Sequence, residues 1–249
     1  MQIGAQFFTI REYCKTLPDF AESLKKVADI GYRTVQISGT CPYEPQWLKE
    51  QLDLNGLKCV ITHTNTERLV EETEAVAKDH DIFDCKYVGL GAYSFNPEMG
   101  HSFEDFMETY VPVAQRLKEC GKYFMYHNHA HEFKRLDGKL IFDKITQSVP
   151  ADILGFTLDT YWVQVGGGDP AQWLEKLAGR IPVIHLKDCA WGQQMAVVGE
   201  GNINFDRVFE KAEAGGTMYM MVEQDKCNGE DPFDCLKRSY QNLKAHGFE

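Results

Sequence analysis

Five short apolar runs in this chain end in side chains that can bind a metal or move a proton: His63, His127-Asn128-His129, Asp159, His185-Leu186-Lys187-Asp188 and Glu223. Read as strands, such runs point alternate side chains to opposite faces. His127 and His129 then share a side, as do His185 and Lys187, and likewise Tyr219, Met221 and Glu223. One or two neutral imidazoles with one or two carboxylates, drawn from separate strands, make a mixed nitrogen and oxygen donor set. That set suits Mn²⁺, Zn²⁺, Fe²⁺ or Co²⁺ better than Ca²⁺. Asp159, His185 and Glu223 buried without partners at apolar strand ends would each be costly, so partners are expected. No thiol is required. The eight cysteines, at 14, 41, 59, 85, 120, 189, 227 and 235, form no C-x-x-C pair, and in apolar surroundings free Cys acts as a small hydrophobe.

The elements that must position these groups alternate along the whole chain. Strands are predicted at Ile3–Thr9, Thr34–Ser38, Lys58–His63, Tyr87–Ala92, Tyr123–His129, Leu154–Asp159, Val183–Lys187 and Met218–Glu223. Between them lie amphipathic stretches. Asp19–Ile30 places Phe20, Leu24, Val27 and Ala28 on one face, and Phe103–Cys120 does the same after a capping Ser102. Asp169-Pro170 and Asp231-Pro232 open two further helices, with Asp as cap and Pro at the first helical position. Phe142–Ser148 reads as a helix of two turns, and Glu67 to Glu74 as a solvated helix face. Gly31, Gly56, Gly121 and Gly216 each follow a helix and precede a strand, where a left-handed cap is wanted. This βα repeat implies a parallel sheet. The expected fold is α/β, a single (β/α)₈ TIM barrel spanning residues 1–249 as one domain, since such barrels need about 250 residues. A doubly wound open sheet is the alternative, but no G-x-G-x-x-G follows the first strand. In a barrel, the C-terminal strand ends carry the chemistry.

Composition limits the partners. The formal net charge is −11 with no basic run, which opposes nucleic acid as a partner. No apolar stretch approaches the roughly 18 to 20 residues of a membrane span, and the N-terminus shows no signal-peptide pattern. A reduced, cytoplasmic, soluble protein is expected, and helices with aromatic ends allow a homo-oligomer.

The strand-six L-D, the strand-seven H-L-K-D, the strand-eight V-E and the segment Val198-Gly199-Glu200-Gly201-Asn202-Ile203-Asn204-Phe205 resemble the xylose-isomerase-like TIM barrel superfamily, often called sugar phosphate isomerases/epimerases. The last segment is similar to that group's G-x-G-x-I-x-F loop. The resemblance covers essentially the whole chain. It implies one divalent metal held by a Glu of strand five, an Asp of strand six, a His of strand seven and a Glu of strand eight. Asp159, His185 and Glu223 match three of those places. At the fourth this chain has His127-Asn128-His129, a Y-H-N-H form similar to inosose dehydratase-like proteins. A symmetric epimerisation by two opposed Glu residues is therefore in doubt.

The resemblance implies metal-assisted α-proton abstraction from a sugar or cyclitol, through an enediolate. His127, Asp159, His185 and Glu223 are the expected ligands, with Glu223 also a base. His129, Lys187 and Glu132 are acid/base or substrate-binding candidates. His63 and Glu200 are expected to close the pocket, and Trp162, Trp191, Phe7 and Phe8 to wall a sugar ring. Plainer readings stand beside these. His80, His101 and His246 are surface or satisfied core residues, and His131 lies beyond the strand. Asp188 could form only a local ion pair with Lys187, and Glu132 only face solvent or pair with Lys134. The leading function is a metal-dependent carbohydrate isomerase/epimerase. A dehydratase or lyase is the alternative, and a metal-dependent endonuclease of the same barrel a remoter one. A neutral sugar is preferred over a phosphorylated one, because no Arg or Lys cluster adjoins the strand ends.

Overall fold

The computed structural model describes residues 1–248. Eight strands form the barrel: β1 (Gln2–Gln6), β2 (Thr34–Ile37), β3 (Lys58–His63), β4 (Tyr87–Leu90), β5 (Tyr123–His127), β6 (Leu154–Asp159), β7 (Val183–Leu186) and β8 (Tyr219–Val222). Each pairs in parallel with the next, and β8 returns to β1 to close the ring. Among the described residues ten α-helices surround it: α1 (Leu17–Ile30), α2 (Pro45–Leu54), α3 (Thr66–Glu71), α4 (Thr73–Ile82) and α5 (Phe103–Glu119), then α6 (Ile141–Ser148), α7 (Thr160–Val165), α8 (Pro170–Lys176), α9 (Phe205–Ala214) and α10 (Pro232–Ala245). The main core lies between helices and sheet, with Phe20, Leu24, Phe106, Leu117, Phe142 and Phe156 fully buried there.

Local chemistry sets the element ends. Thr16 caps α1: its hydroxyl accepts from Asp19 N, and the helix starts at Leu17, two residues before the predicted Asp19. Ser102 and Asp105 form a capping box on α5. Asp169 and Asp231 cap α8 and α10 as expected. The stretch from Glu67 to Glu74 is not one helix, because Glu72 leaves helical geometry and separates α3 from α4.

The largest departure is in the first strand. It ends at Gln6, not Thr9, because the Gln6 side chain accepts from Phe8 N and turns Phe7–Tyr13 into a 3-10 helix. Phe7 is consequently carried into the core, edge-on to Phe20, and does not wall a pocket.

Register places the chemistry. Asp159 pairs with His185 across β6 and β7, and Met221 pairs with His185 across β7 and β8. Glu223 follows just beyond β8, its N–H on Leu186 O. His127 ends β5 opposite Thr157. The four side chains therefore rise to one end of the barrel interior, the C-terminal end.

Candidate metal centre

His127, Asp159, His185 and Glu223 are all buried and each offers a ligand atom, all within 4.8 Å of one another. Their hydrogen bonds show which atoms face inward. His127 Nδ1 lies 2.8 Å from Gly91 O. A carbonyl can only accept, so Nδ1 carries the proton and Nε2 presents a lone pair. That lone pair faces Asp159 Oδ2 at 3.1 Å. His185 Nε2 lies 2.6 Å from the side-chain oxygen of Gln36, which leaves His185 Nδ1 facing Glu223 Oε2 at 2.9 Å. Neither His185 Nδ1 nor Glu223 Oε2 has an aligned hydrogen bond. With both rings neutral, acceptors thus face acceptors at two places, an arrangement that a proton or a metal cation between them relieves. Two imidazole nitrogens and two carboxylate oxygens fit Mn²⁺, Zn²⁺, Fe²⁺ or Co²⁺, and Gly91 O and Gln36 are the outer partners that orient such ligands.

Charge is concentrated on the same groups. Burial alone would push Asp159 upward, but the Lys187 charge and the neighbouring His127 and His185 outweigh it and hold the carboxyl below its ordinary range. Glu223 is likewise held well below, against burial, by Lys187 and His185. His185 is raised, because the Glu223 and Asp159 charges overcome its burial. Lys187, 2% exposed, is raised for the same reason by Asp159, Glu223 and Asp225. Both carboxylates are therefore ionised and Lys187 is an ammonium at neutral pH.

Above the four groups is a cavity of about 390 Å³. His127 and Glu223 reach it, together with His63, His129, Lys187 and Asp225. His63 stacks on His127 at 5.3 Å between ring centres, takes a Ser38 contact of 3.2 Å on Nδ1, and is held well below an ordinary imidazole by burial and by His127. His129 stands 4.6 Å from His127 and 5.3 Å from Trp162, ring centre to ring centre. Burial and His127 push its pKa down to about 2, so it is neutral. Trp162 also lies under the Lys187 ammonium, at 5.5 Å.

Other expected site residues lie elsewhere. Glu200 is exposed and pairs with Arg238 at 2.9 Å, which draws it away from the cavity. Trp191 is 87% exposed, because the hairpin of Asp188–Cys189 with Met195–Ala196 carries it outward on a 3-10 turn. Glu132 neither faces solvent nor pairs with Lys134. It is fully buried, accepts from Tyr126 and from His129 N, and lies 3.3 Å from His131. Its carboxylate therefore fixes the backbone at His129. Asp188 makes no ion pair with Lys187; it gathers the N–H groups of Cys189, Gly199, Gly201 and Ile203. The glycine-containing segment after β7 is folded around that carboxylate.

Two participants are not among the residues expected from the sequence: Gln36 orients His185, and Asp225 pairs with Lys187 at 2.9 Å. Asn128, between the two strand-five histidines, accepts from Asp159 N at 3.0 Å. The signal for Gln36 was a lone amide inside the apolar run Val35-Gln36-Ile37. For Asp225 it was the same two-residue alternation that aligned Met221 with Glu223.

With a closed eight-stranded parallel barrel and these groups at its C-terminal end, the class is a (β/α)₈ barrel of enzyme type. The chain belongs to the xylose isomerase-like TIM barrel family, whose model matches residues 24–244. It is 22% identical to inosose dehydratase of Lacticaseibacillus casei, over 91% of this chain and 89% of that protein. A sugar phosphate isomerase/epimerase from Parabacteroides distasonis superposes with a TM-score of 0.84 at 22% identity, covering 98% of this chain and 93% of that one. An L-ribulose 3-epimerase gives 0.74 at 16% identity, covering 98% and 94%. These likenesses in structure speak to the fold. No helix among the described residues is long and apolar enough to cross a membrane.

Proposed function

We propose that this protein is a divalent-metal-dependent carbohydrate isomerase or epimerase that removes the proton next to a carbonyl of a neutral sugar or keto-sugar. The observation that carries this reading is the convergence of two imidazole lone pairs and two ionised carboxylates beneath a sugar-sized cavity. When bound, a divalent ion supplies Lewis acidity that makes the C–H beside a carbonyl more acidic. His127, Asp159, His185 and Glu223 would hold it. Of the two carboxylates in that group, only Glu223 also lines the cavity, so it takes the proton. Lys187, kept charged, stabilises negative charge as it develops on the substrate oxygen. His129, neutral and with Nδ1 unpartnered, orients a hydroxyl, and Glu132 holds His129 in place. Lys187 already faces three carboxylates, which leaves little attraction for a phosphate and favours an uncharged substrate.

One observation favours dehydration as the second reading. The two carboxylates that reach the cavity, Glu223 and Asp225, both come from the end of β8, so the carboxylate proton carriers stand on one side of it. Burial and the Glu223 charge raise Asp225 to about 6, and such a group can give a proton to a departing hydroxyl. The relative named inosose dehydratase is consistent with it. Metal content of the purified protein, with proton NMR of keto-sugars and cyclitols in D₂O, tests both. Deuterium exchange without loss of water supports the isomerase or epimerase, and loss of water the dehydratase. Full metal content in His185→Ala and Glu223→Ala variants would overturn the site.

A further inference from the structure

Asp225 sits where a spectator carboxylate would not be expected. Its backbone is fastened to the segment after β1: Arg11 donates to Asp225 O at 3.1 Å, and Gln224 N donates to Thr9 Oγ1 at 3.0 Å. The carboxylate is thereby held against Lys187, with Nζ 2.9 Å from Oδ1 and 3.0 Å from Oδ2. The same ammonium lies 3.3 Å from Asp159 Oδ2 and 3.1 Å from Glu223 Oε2, the two oxygens that face the imidazoles. Lys187 and a metal ion would therefore compete for the same oxygens.

Charge counting makes the conflict concrete. Asp159 and Glu223 carry two negative charges, which a divalent ion balances. Lys187 is 2% exposed, and a buried ammonium without an opposite charge is strongly disfavoured. The carboxylate left to offset it is Asp225. We infer that Asp225 is a positioning residue: it gives the Lys187 ammonium a carboxylate of its own, outside the ligand set, so that the Asp159 and Glu223 oxygens can turn to a divalent cation while Lys187 stays charged beside the substrate. This rests on the metal-centre reading above.

The test is Mn²⁺ affinity of the full chain by isothermal titration calorimetry at pH 8, in a double-mutant cycle. Asp225→Asn is expected to weaken binding by about tenfold or more, because a buried ammonium that has lost its carboxylate turns to the ligand oxygens instead. In a Lys187→Met background the same Asp225→Asn change is expected to cost less than about threefold, because there is no ammonium left to hold back. Equal losses in both backgrounds overturn the inference, since Asp225 would then act through its own charge alone. Lys187→Met by itself is expected to tighten Mn²⁺ binding, and this variant decides the matter should Asp225→Asn not fold: unchanged or weaker affinity refutes the competition. A wild-type chain that binds no Mn²⁺ overturns the metal-centre reading instead.

Discussion

The barrel interior has two halves built on the same strands with opposite chemistry. At the lower end, Val60, Ile61, Tyr87, Met125, Val183 and Met221 form a closed apolar cluster. Two residues higher on three of those strands stand His127, His185 and Glu223, which belong with Asp159 to the polar group. The pleat repeats every second residue, so Met125 and His127, Val183 and His185, and Met221 and Glu223 share an inward face while differing in height. The lower half is close-packed: a Cβ at Gly4 would run into the Met221 side chain and lie 2.7 Å from Thr34 Oγ1. The upper half leaves several buried polar atoms without partners. Close packing is concentrated below and unpartnered polar atoms above.

Neighbouring substitutions on β8 should separate the two halves. Glu223→Ala removes a ligand and the proposed base; metal affinity should fall by more than about 100-fold, beyond the usual loss for an outer partner, while the urea midpoint of the metal-free protein changes little or rises. Met221→Ala, one pleat lower, should do the reverse. Cavity formation there should cost about 2–5 kcal/mol in urea unfolding, with metal stoichiometry retained. If both variants lose metal equally, the halves are not independent.

Acid sharpens the contrast between a histidine that is satisfied and one that awaits a cation. His80, on α4, has Nε2 2.8 Å from Thr62 Oγ1 and Nδ1 2.7 Å from Val76 O. Burial pushes its pKa down to about 4. The folded chain therefore disfavours a proton that the unfolded chain accepts near 6.5. The stability His80 contributes is complete above that value and is lost as pH falls toward 4, to a total of about 3 kcal/mol. Unfolding of His80→Gln against wild type across this window should show a shallower acid slope in the variant. An unchanged slope would assign the acid sensitivity to other groups.

The smallest effect expected is at Gln36. Gln36→Leu leaves all four ligand atoms but frees the His185 ring, so metal affinity should drop by about 10–100-fold, with little change in the urea midpoint. A loss as complete as that of Glu223→Ala would place Gln36 among the ligands themselves.

Much of this was legible in the residues. β3 and β6 have their predicted ends, and the other six strands lie where the apolar runs are, because alternation of apolar strand and amphipathic helix is a local signal. The four groups of the centre were legible by type and strand position. The ends of elements were less so: β1 stops at Gln6 because of one side-chain-to-backbone hydrogen bond, and that bond moved Phe7 from pocket to core. Trp191 and Glu200 were placed at the site by their proximity to β7 in sequence. Their actual positions follow from Asp188 folding the segment around its carboxylate and from Arg238 on α10 capturing Glu200. Arg238 lies 38 residues from Glu200 in sequence.

By itself the sequence determined a parallel βα barrel and the kind of atoms gathered at its C-terminal end, since pleat and helix periodicities are properties of short segments. Only the closed ring decided which lone pairs meet. Gln36 on β2 orients His185 on β7, Gly91 orients His127, and Asp225 beyond β8 engages Lys187. Such contacts arise when strand stagger and closure bring remote side chains to one height, and no local pattern encodes that geometry.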